Sequence, residues 1–178
     1  MATQGQEKHQ AALISKAIDK VAGLACAILF GTMTAIVIVG VFFRYLFNMP
    51  LNWVEETSRY LMIWGASVAI SLGVSAGEHV GLTVILDSMK KPLPRKILTL
   101  FINAIVLAFL IFMFAYSLSA TVEAKTQMTQ ALGISMFIPR LAVPVAMALS
   151  AIQVVLVSIM VLHSPDGIRP QAAGYIDI

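Results

Sequence analysis

Charge is what this chain has least of. Of its 178 residues only 12% are Asp, Glu, Lys or Arg and 59% are hydrophobic, against a soluble average of roughly 25% charged. The few ionisable groups stand between four long uncharged stretches, which excludes an ordinary water-soluble domain and makes lipid the solvent for most of the protein. A single cysteine, Cys26, excludes an internal disulfide, a CxxC redox pair and a cysteine-based zinc site, and its apolar surroundings read it as a small buried hydrophobe. His9, His79 and His163 all fall outside the uncharged stretches, so no two are placed to hold a haem between helices. Serines such as Ser67 and Ser71 have no base at their depth, so an intramembrane hydrolase is not supported and no enzyme, cofactor or metal site is expected in this chain. The net charge of +3 forms no basic stripe, which argues against a nucleic-acid partner and for lipid headgroup contacts instead.

What is present is length without charge. The run Val21 to Phe43 is long enough to cross a hydrocarbon core of about 30 Å as a helix, and it is too long, and ends too bulkily in Phe42-Phe43-Arg44, for a cleaved signal peptide. Tyr60 to Gly77, Ile97 to Val122 and Leu141 to Leu162 are uncharged in the same way. The expectation is an all-α integral membrane protein: a cytoplasmic segment 1–20, a membrane domain 21–162 with spans at 21–43, 53–77, 97–122 and 141–162, and a cytoplasmic tail 163–178. Leu82, Ile85, Leu86 and Met89 fall on one helical face opposite Thr83, Asp87, Lys90 and Lys91, the pattern of an interfacial helix over 80–91. Ile14, Ile18 and Val21 with Lys16, Asp19 and Lys20 repeat that pattern before span one, where a solvated helix extension fits equally well. Lys8, Lys16, Lys20, Lys90, Lys91, Arg95, Lys96 and Arg169 lie on one side of the four spans and Arg44, Arg59, Lys125 and Arg140 on the other, so both termini are expected in the cytoplasm.

The spans lack what a solute path shows: none of the uncharged runs contains an ionisable residue, and Asn103 and Gln153, the strongest polar groups at depth, are explained by helix-to-helix hydrogen bonds. They carry packing stripes instead. Gly23, Ala27, Gly31 and Ala35 repeat every fourth residue in span one, as do Gly65, Ala69, Gly73 and Gly77 in span two, and small residues at that period let helix backbones approach closely. Whether these faces are used inside the chain or against a partner is open at this level. The densest chemistry lies at the outer edge, where Arg44 and Tyr45 end span one and Trp53, Glu55, Glu56 and Arg59 open span two. Glu55 and Arg59 form an i, i+4 pair in the favourable order, and the cluster sums to zero charge. It reads as a neutralised pin with interfacial aromatics rather than as an acid/base site. Glu78 and His79 mark the cytoplasmic end of span two. The outer surfaces, including Asn48, Asn52, Glu123, Lys125 and Arg140, are the candidates for contact with a protein outside the membrane.

The order Arg44-Tyr45, Pro50-Leu51-Asn52-Trp53-Val54-Glu55-Glu56-Thr57-Ser58-Arg59-Tyr60, Trp64-Gly65 and Gly77-Glu78-His79-Val80 resembles the small membrane subunit of tripartite ATP-independent periplasmic (TRAP) transporters. The four-span plan covers nearly the whole chain, although spans three and four resemble the family mainly in hydropathy. The resemblance implies a bacterial inner-membrane protein in a 1:1 complex with a large multi-span permease, which would hold the substrate and Na+ sites, served by a periplasmic substrate-binding protein. It implies sodium-coupled uptake of an organic acid such as a C4-dicarboxylate or sialic acid, with this subunit as a scaffold. Arg44, Trp53, Glu55, Glu56, Arg59 and His79 match the signature, whereas Ser75-Ala76-Gly77-Glu78 stands where many relatives carry basic residues. The rival readings are a self-sufficient small homo-oligomeric transporter or channel, and a membrane anchor of a respiratory enzyme.

Overall fold

The computed structural model describes residues 2–76 and 92–163. Gly77, Glu78, His79, the expected interfacial helix 80–91 and the tail from 164 onward lie outside the described residues. The described chain is helical throughout, apart from loops and one isolated antiparallel bridge between Met128 and Ser135.

Helix α1 (Ala2–Leu46) runs for 45 residues, about 68 Å at 1.5 Å per residue. No proline interrupts it, and the first, Pro50, follows its end. The exit is made by Asn48 in the left-handed region at φ 52°, which asparagine tolerates better than most residues, while the N–H groups of Phe47 and Met49 both donate to the Phe43 carbonyl at 3.2 Å. The boundary expected near residue 20 is therefore not a break in the backbone: the segment carrying Lys16, Asp19 and Lys20 continues directly into span one.

Helix α2 (Asn52–Ala76) returns alongside α1. The facing side of α1 is a seam of partly or fully buried Ala22, Cys26, Leu29, Met33, Ile36 and Gly40, alternately four and three residues apart, the spacing by which one helix keeps a constant side toward another. Contact is close: the Cys26 thiol donates to the Gly65 carbonyl at 3.5 Å, and a Cβ built on Gly65 would stand 3.0 Å from the Phe30 ring.

Helix α3 (Pro92–Glu123) leads through a 3₁₀ turn (Ala124–Thr126) into an outer loop, then a short helix α4 (Phe137–Arg140) and helix α5 (Ala142–Leu162). The last is the centre of the bundle, since α1, α2 and α3 all pack on it. Leu110 of α3 joins Ala146, Met147 and Val154 of α5 in one apolar cluster, and Ala11 of α1 joins Val157, Met160 and Val161 in another. Pro144 lacks the N–H that would reach the Arg140 carbonyl one turn back, and that carbonyl shares the Thr121 hydroxyl proton, at 3.3 Å, with the nearer Ser117 carbonyl at 2.7 Å. At the other end Lys96 donates to the Leu162 carbonyl, a cation at a helix C-terminus.

Most buried polar side chains within the bundle find partners locally or across a helix contact, with the Ser150 hydroxyl of α5 an exception. The hydroxyls of Ser71, Thr99, Thr121 and Ser158 donate to carbonyls three or four residues back. Asn103 donates to Ser158 at 3.0 Å. Gln153, fully buried, accepts from the Ser15 hydroxyl at 2.9 Å and donates to Asp19 at 2.9 Å. The two polar residues singled out at depth thus tie α3 to α5 and α1 to α5. Three helical segments, His9–Leu46, Leu93–Thr126 and Phe137–Leu162, are long and apolar enough to cross a membrane. Helix α2, which opens with Glu55, Glu56 and Arg59, is uncharged from Tyr60 to Ala76.

Candidate functional site

The outer-edge residues come from the end of α1 and the first turns of α2, and the structure divides them into two groups. Glu55 and Arg59 pair at 3.5 Å with side chains 84% and 61% exposed, a geometry in which solvent screening leaves little net stabilisation. Among the described residues no ion pair involves Arg44, which is exposed at the end of α1 together with Tyr45. Trp53 is also exposed, at 42%.

Glu56 has a different role from the one its charge implies. One position further round the helix than Glu55, it turns away from the arginines toward the outer loop. Its Oε2 accepts the backbone N–H groups of Ala131 (2.6 Å) and Leu132 (3.0 Å), and its Oε1 accepts the Tyr60 hydroxyl at 2.6 Å. The expectation that Arg44 and Arg59 neutralise both carboxylates is corrected accordingly: Arg59 serves Glu55, and Glu56 is satisfied by backbone donors and a phenol. Glu56 stands ahead of the uncharged stretch of α2 that begins at Tyr60.

The loop that Glu56 holds is itself ordered. Met136 N–H donates to Gln127 and Thr129 N–H to Ile134, closing a small hairpin, while Gly133 supplies the left-handed corner at φ 63°. The Thr129 hydroxyl accepts the Ile134 N–H at 3.0 Å, and the Ser135 hydroxyl donates to the Lys125 carbonyl at 3.0 Å. Lys125 lies 5.2 Å from the centre of the Phe137 ring, and the Arg140 guanidinium donates to the Ala120 carbonyl and the Gln127 side chain, both at 3.3 Å. Lys125 and Arg140, expected to face a partner, are thus exposed residues that also brace the loop; Glu123, Asn48 and Asn52 are exposed as well. Between the loop and α2 lies an apolar groove of about 210 Å³ lined by Tyr60, Leu61, Trp64, Leu132 and Ile138 among others.

The packing stripes part company. In α2, Gly65 is buried against Phe30 and Ala69 is half-buried, but a Cβ on Gly73 would meet nothing within 4 Å. In α1, Ala27, Gly31 and Ala35 are exposed, and a Cβ on Gly31 or on the half-buried Gly23 would meet nothing within 4 Å. A close approach absent from the expected stripes occurs at Gly40, where a Cβ would stand 2.5 Å from Val54 Cγ1. Gly40 falls five residues after Ala35 and nine after Gly31, out of step with the four-residue period, which is why the small-residue pattern passes over it.

Helices of this length and apolarity, three of them able to cross a membrane, define a helical membrane protein. Residues 33–162 match the family model of the DctQ component of tripartite ATP-independent periplasmic transporters, and the chain belongs to that family. It is 33% identical over 72 residues to a Haemophilus influenzae protein that bears the name TRAP transporter small permease protein, a match covering 40% of this chain and 45% of that one. It is 32% identical over 91 residues to the C4-dicarboxylate TRAP transporter small permease protein DctQ of Vibrio cholerae, covering 51% of this chain and 39% of the relative. The chain thus spans less than half the length of these curated relatives in each match.

Proposed function

We propose that this protein is the scaffold subunit of a TRAP transporter, crossing the bacterial inner membrane four times with both termini in the cytoplasm. It braces a large multi-span permease in a 1:1 complex, and the permease carries the substrate and Na+ sites. The observation that carries this reading is family membership across residues 33–162 combined with the open small-residue face of α1. Ala27, Gly31 and Ala35 give a flat strip against which a partner helix gains dispersion contact that lipid does not offer in the same geometry. Tyr45 and Trp53 act as interfacial anchors that fix the depth of the α1–α2 turn.

The outer loop, held by Glu56 and Arg140, offers with Asn48, Asn52, Glu123 and Lys125 a docking surface for the periplasmic binding protein. The cargo is an organic acid; the name of the Vibrio cholerae relative favours the C4-dicarboxylate class over sialic acids. Proteoliposome uptake tests the whole reading. Permease and this chain together, with binding protein outside and an inward sodium gradient, accumulate labelled C4-dicarboxylate, and this chain alone does not. Uptake by the lone chain, or full uptake by the permease without it, overturns the scaffold role.

A further inference from the structure

The first half of α1 carries a pair of cations that meet no acid among the described residues. Lys16 and Lys20 are both exposed, one turn apart, so they lie about 40° apart round the helix and about 6 Å apart along it. The acid nearest in sequence, Asp19, is turned the other way: its carboxylate accepts the Gln153 side-chain amide at 2.9 Å. Ser15, on the same side as Asp19, donates to Gln153 as well and is 6% exposed. Gln153 therefore fixes the rotation of α1, putting Ser15 and Asp19 inward and, at about 100° and 140° from Ser15, Lys16 and Lys20 outward. Among the described residues neither lysine has an ion pair.

The surface around these lysines is apolar on both sides. Leu13 and Ile14 are 56% and 51% exposed before them, and Val21 and Leu24 are 70% and 63% exposed after them. Their level follows from the charge pattern of α1, since Lys20 is the last charged residue before the uncharged run Val21 to Phe43. A greasy belt interrupted by two unpaired ammonium groups fits the boundary where acyl chains give way to headgroups. There a lysine's methylene stem lies along the tails and its ammonium reaches out for an anion.

We infer that Lys16 and Lys20 form a binding site for the phosphate of an anionic phospholipid in the cytoplasmic leaflet, with the facing of the site set by the Ser15–Gln153–Asp19 contacts and its depth by the start of the uncharged run at Val21. The inference rests on the membrane-embedded reading of α1 and goes beyond it by assigning a ligand. A single phosphate bridges two ammonium groups one helical turn apart, and a zwitterionic headgroup offers the same phosphate with its charge already compensated. Selectivity for the anionic lipid follows, at about fivefold for each lysine.

The full chain, purified in non-ionic detergent and offered an equimolar mixture of phosphatidylglycerol and phosphatidylcholine, is read by native mass spectrometry for the lipid it retains. The wild type is expected to keep phosphatidylglycerol in preference, Lys16→Gln/Lys20→Gln to lose that preference, and Lys16→Arg/Lys20→Arg to keep it. An unchanged preference in the glutamine variant, no preference in the wild type, or loss in a folded arginine variant overturns the inference. So does a glutamine variant that keeps its lipids but no longer captures the permease, which would give the lysines to a protein partner. Alkaline extraction of native membranes separates the two levels: release of the wild type by alkali defeats the membrane-embedded reading itself, whereas retention with no lipid preference defeats only the site.

Discussion

The close approach at Gly40 gives the sharpest test. A Cβ added at Gly40 falls 2.5 Å from Val54 Cγ1 and 3.3 Å from Val54 Cβ, whereas carbon atoms rest at about 3.5–4.0 Å. Roughly 1 Å of separation must be found, and Val54 is a poor place to find it, because it is 8% exposed and a β-branched side chain has few alternative rotamers. The backbones must part locally, so Gly40→Ala should cost about 1–3 kcal/mol, the usual range for overpacking. Val54→Ala removes both offending γ carbons at the cost of their burial, and in the double variant the new methyl occupies space that the valine vacated. Gly40→Ala/Val54→Ala should accordingly be more stable than the sum of the single effects predicts, with a coupling of about 1 kcal/mol or more. Thermal unfolding of the purified chain in detergent, followed by tryptophan fluorescence, measures it. Additive effects, or a Gly40→Ala variant as stable as the wild type, would refute the close α1–α2 contact.

Three further outcomes follow from particular contacts. Glu56→Gln should speed hydrogen exchange at the Ala131 and Leu132 amides while Glu55→Gln leaves them unchanged; equal effects would show that the loop is not held by Glu56. Gly31→Leu should leave the melting temperature of the isolated chain within a degree or two yet weaken capture of the permease, whereas Gly65→Leu, pressed against Phe30, should lower the melting temperature directly. Gln153→Leu removes the partner of both Ser15 and Asp19 and should cost about 1–2 kcal/mol, read as earlier unfolding of the α1 segment before residue 22.

Much of this architecture can be read along the chain because it is written locally. The uncharged runs locate the long apolar helices, and the Pro-x-x-Trp-x-Glu-Glu turn carries the family resemblance, since both depend on residues close in sequence. The partner of Glu56 is not legible in that way. Its i, i+4 neighbour Tyr60 is visible, but the Ala131 and Leu132 amides are seventy-five and seventy-six positions away, and backbone donors leave no trace in residue type. Arg44 and Arg59 were the expected partners because charge is the one long-range signal that a sequence displays. Gly31 and Gly65 belong to stripes of identical pattern, yet one is open and the other packed, because periodicity defines a face without saying what covers it. Asp19 beside Lys16 and Lys20 reads as the polar side of an interfacial helix until Gln153 draws it inward.

The uninterrupted length of α1 has a mechanical consequence. A helix this long bends only gently unless a proline, an inserted side chain or a π-bulge breaks its ladder, and no proline occurs between Ala2 and Leu46. Any lean imposed on it at one aqueous surface must emerge, reversed in direction about the point where it is gripped, at the opposite surface. The Gln153 contacts grip it toward one end and the Gly40–Val54 contact toward the other, so this rod is clamped twice against swinging.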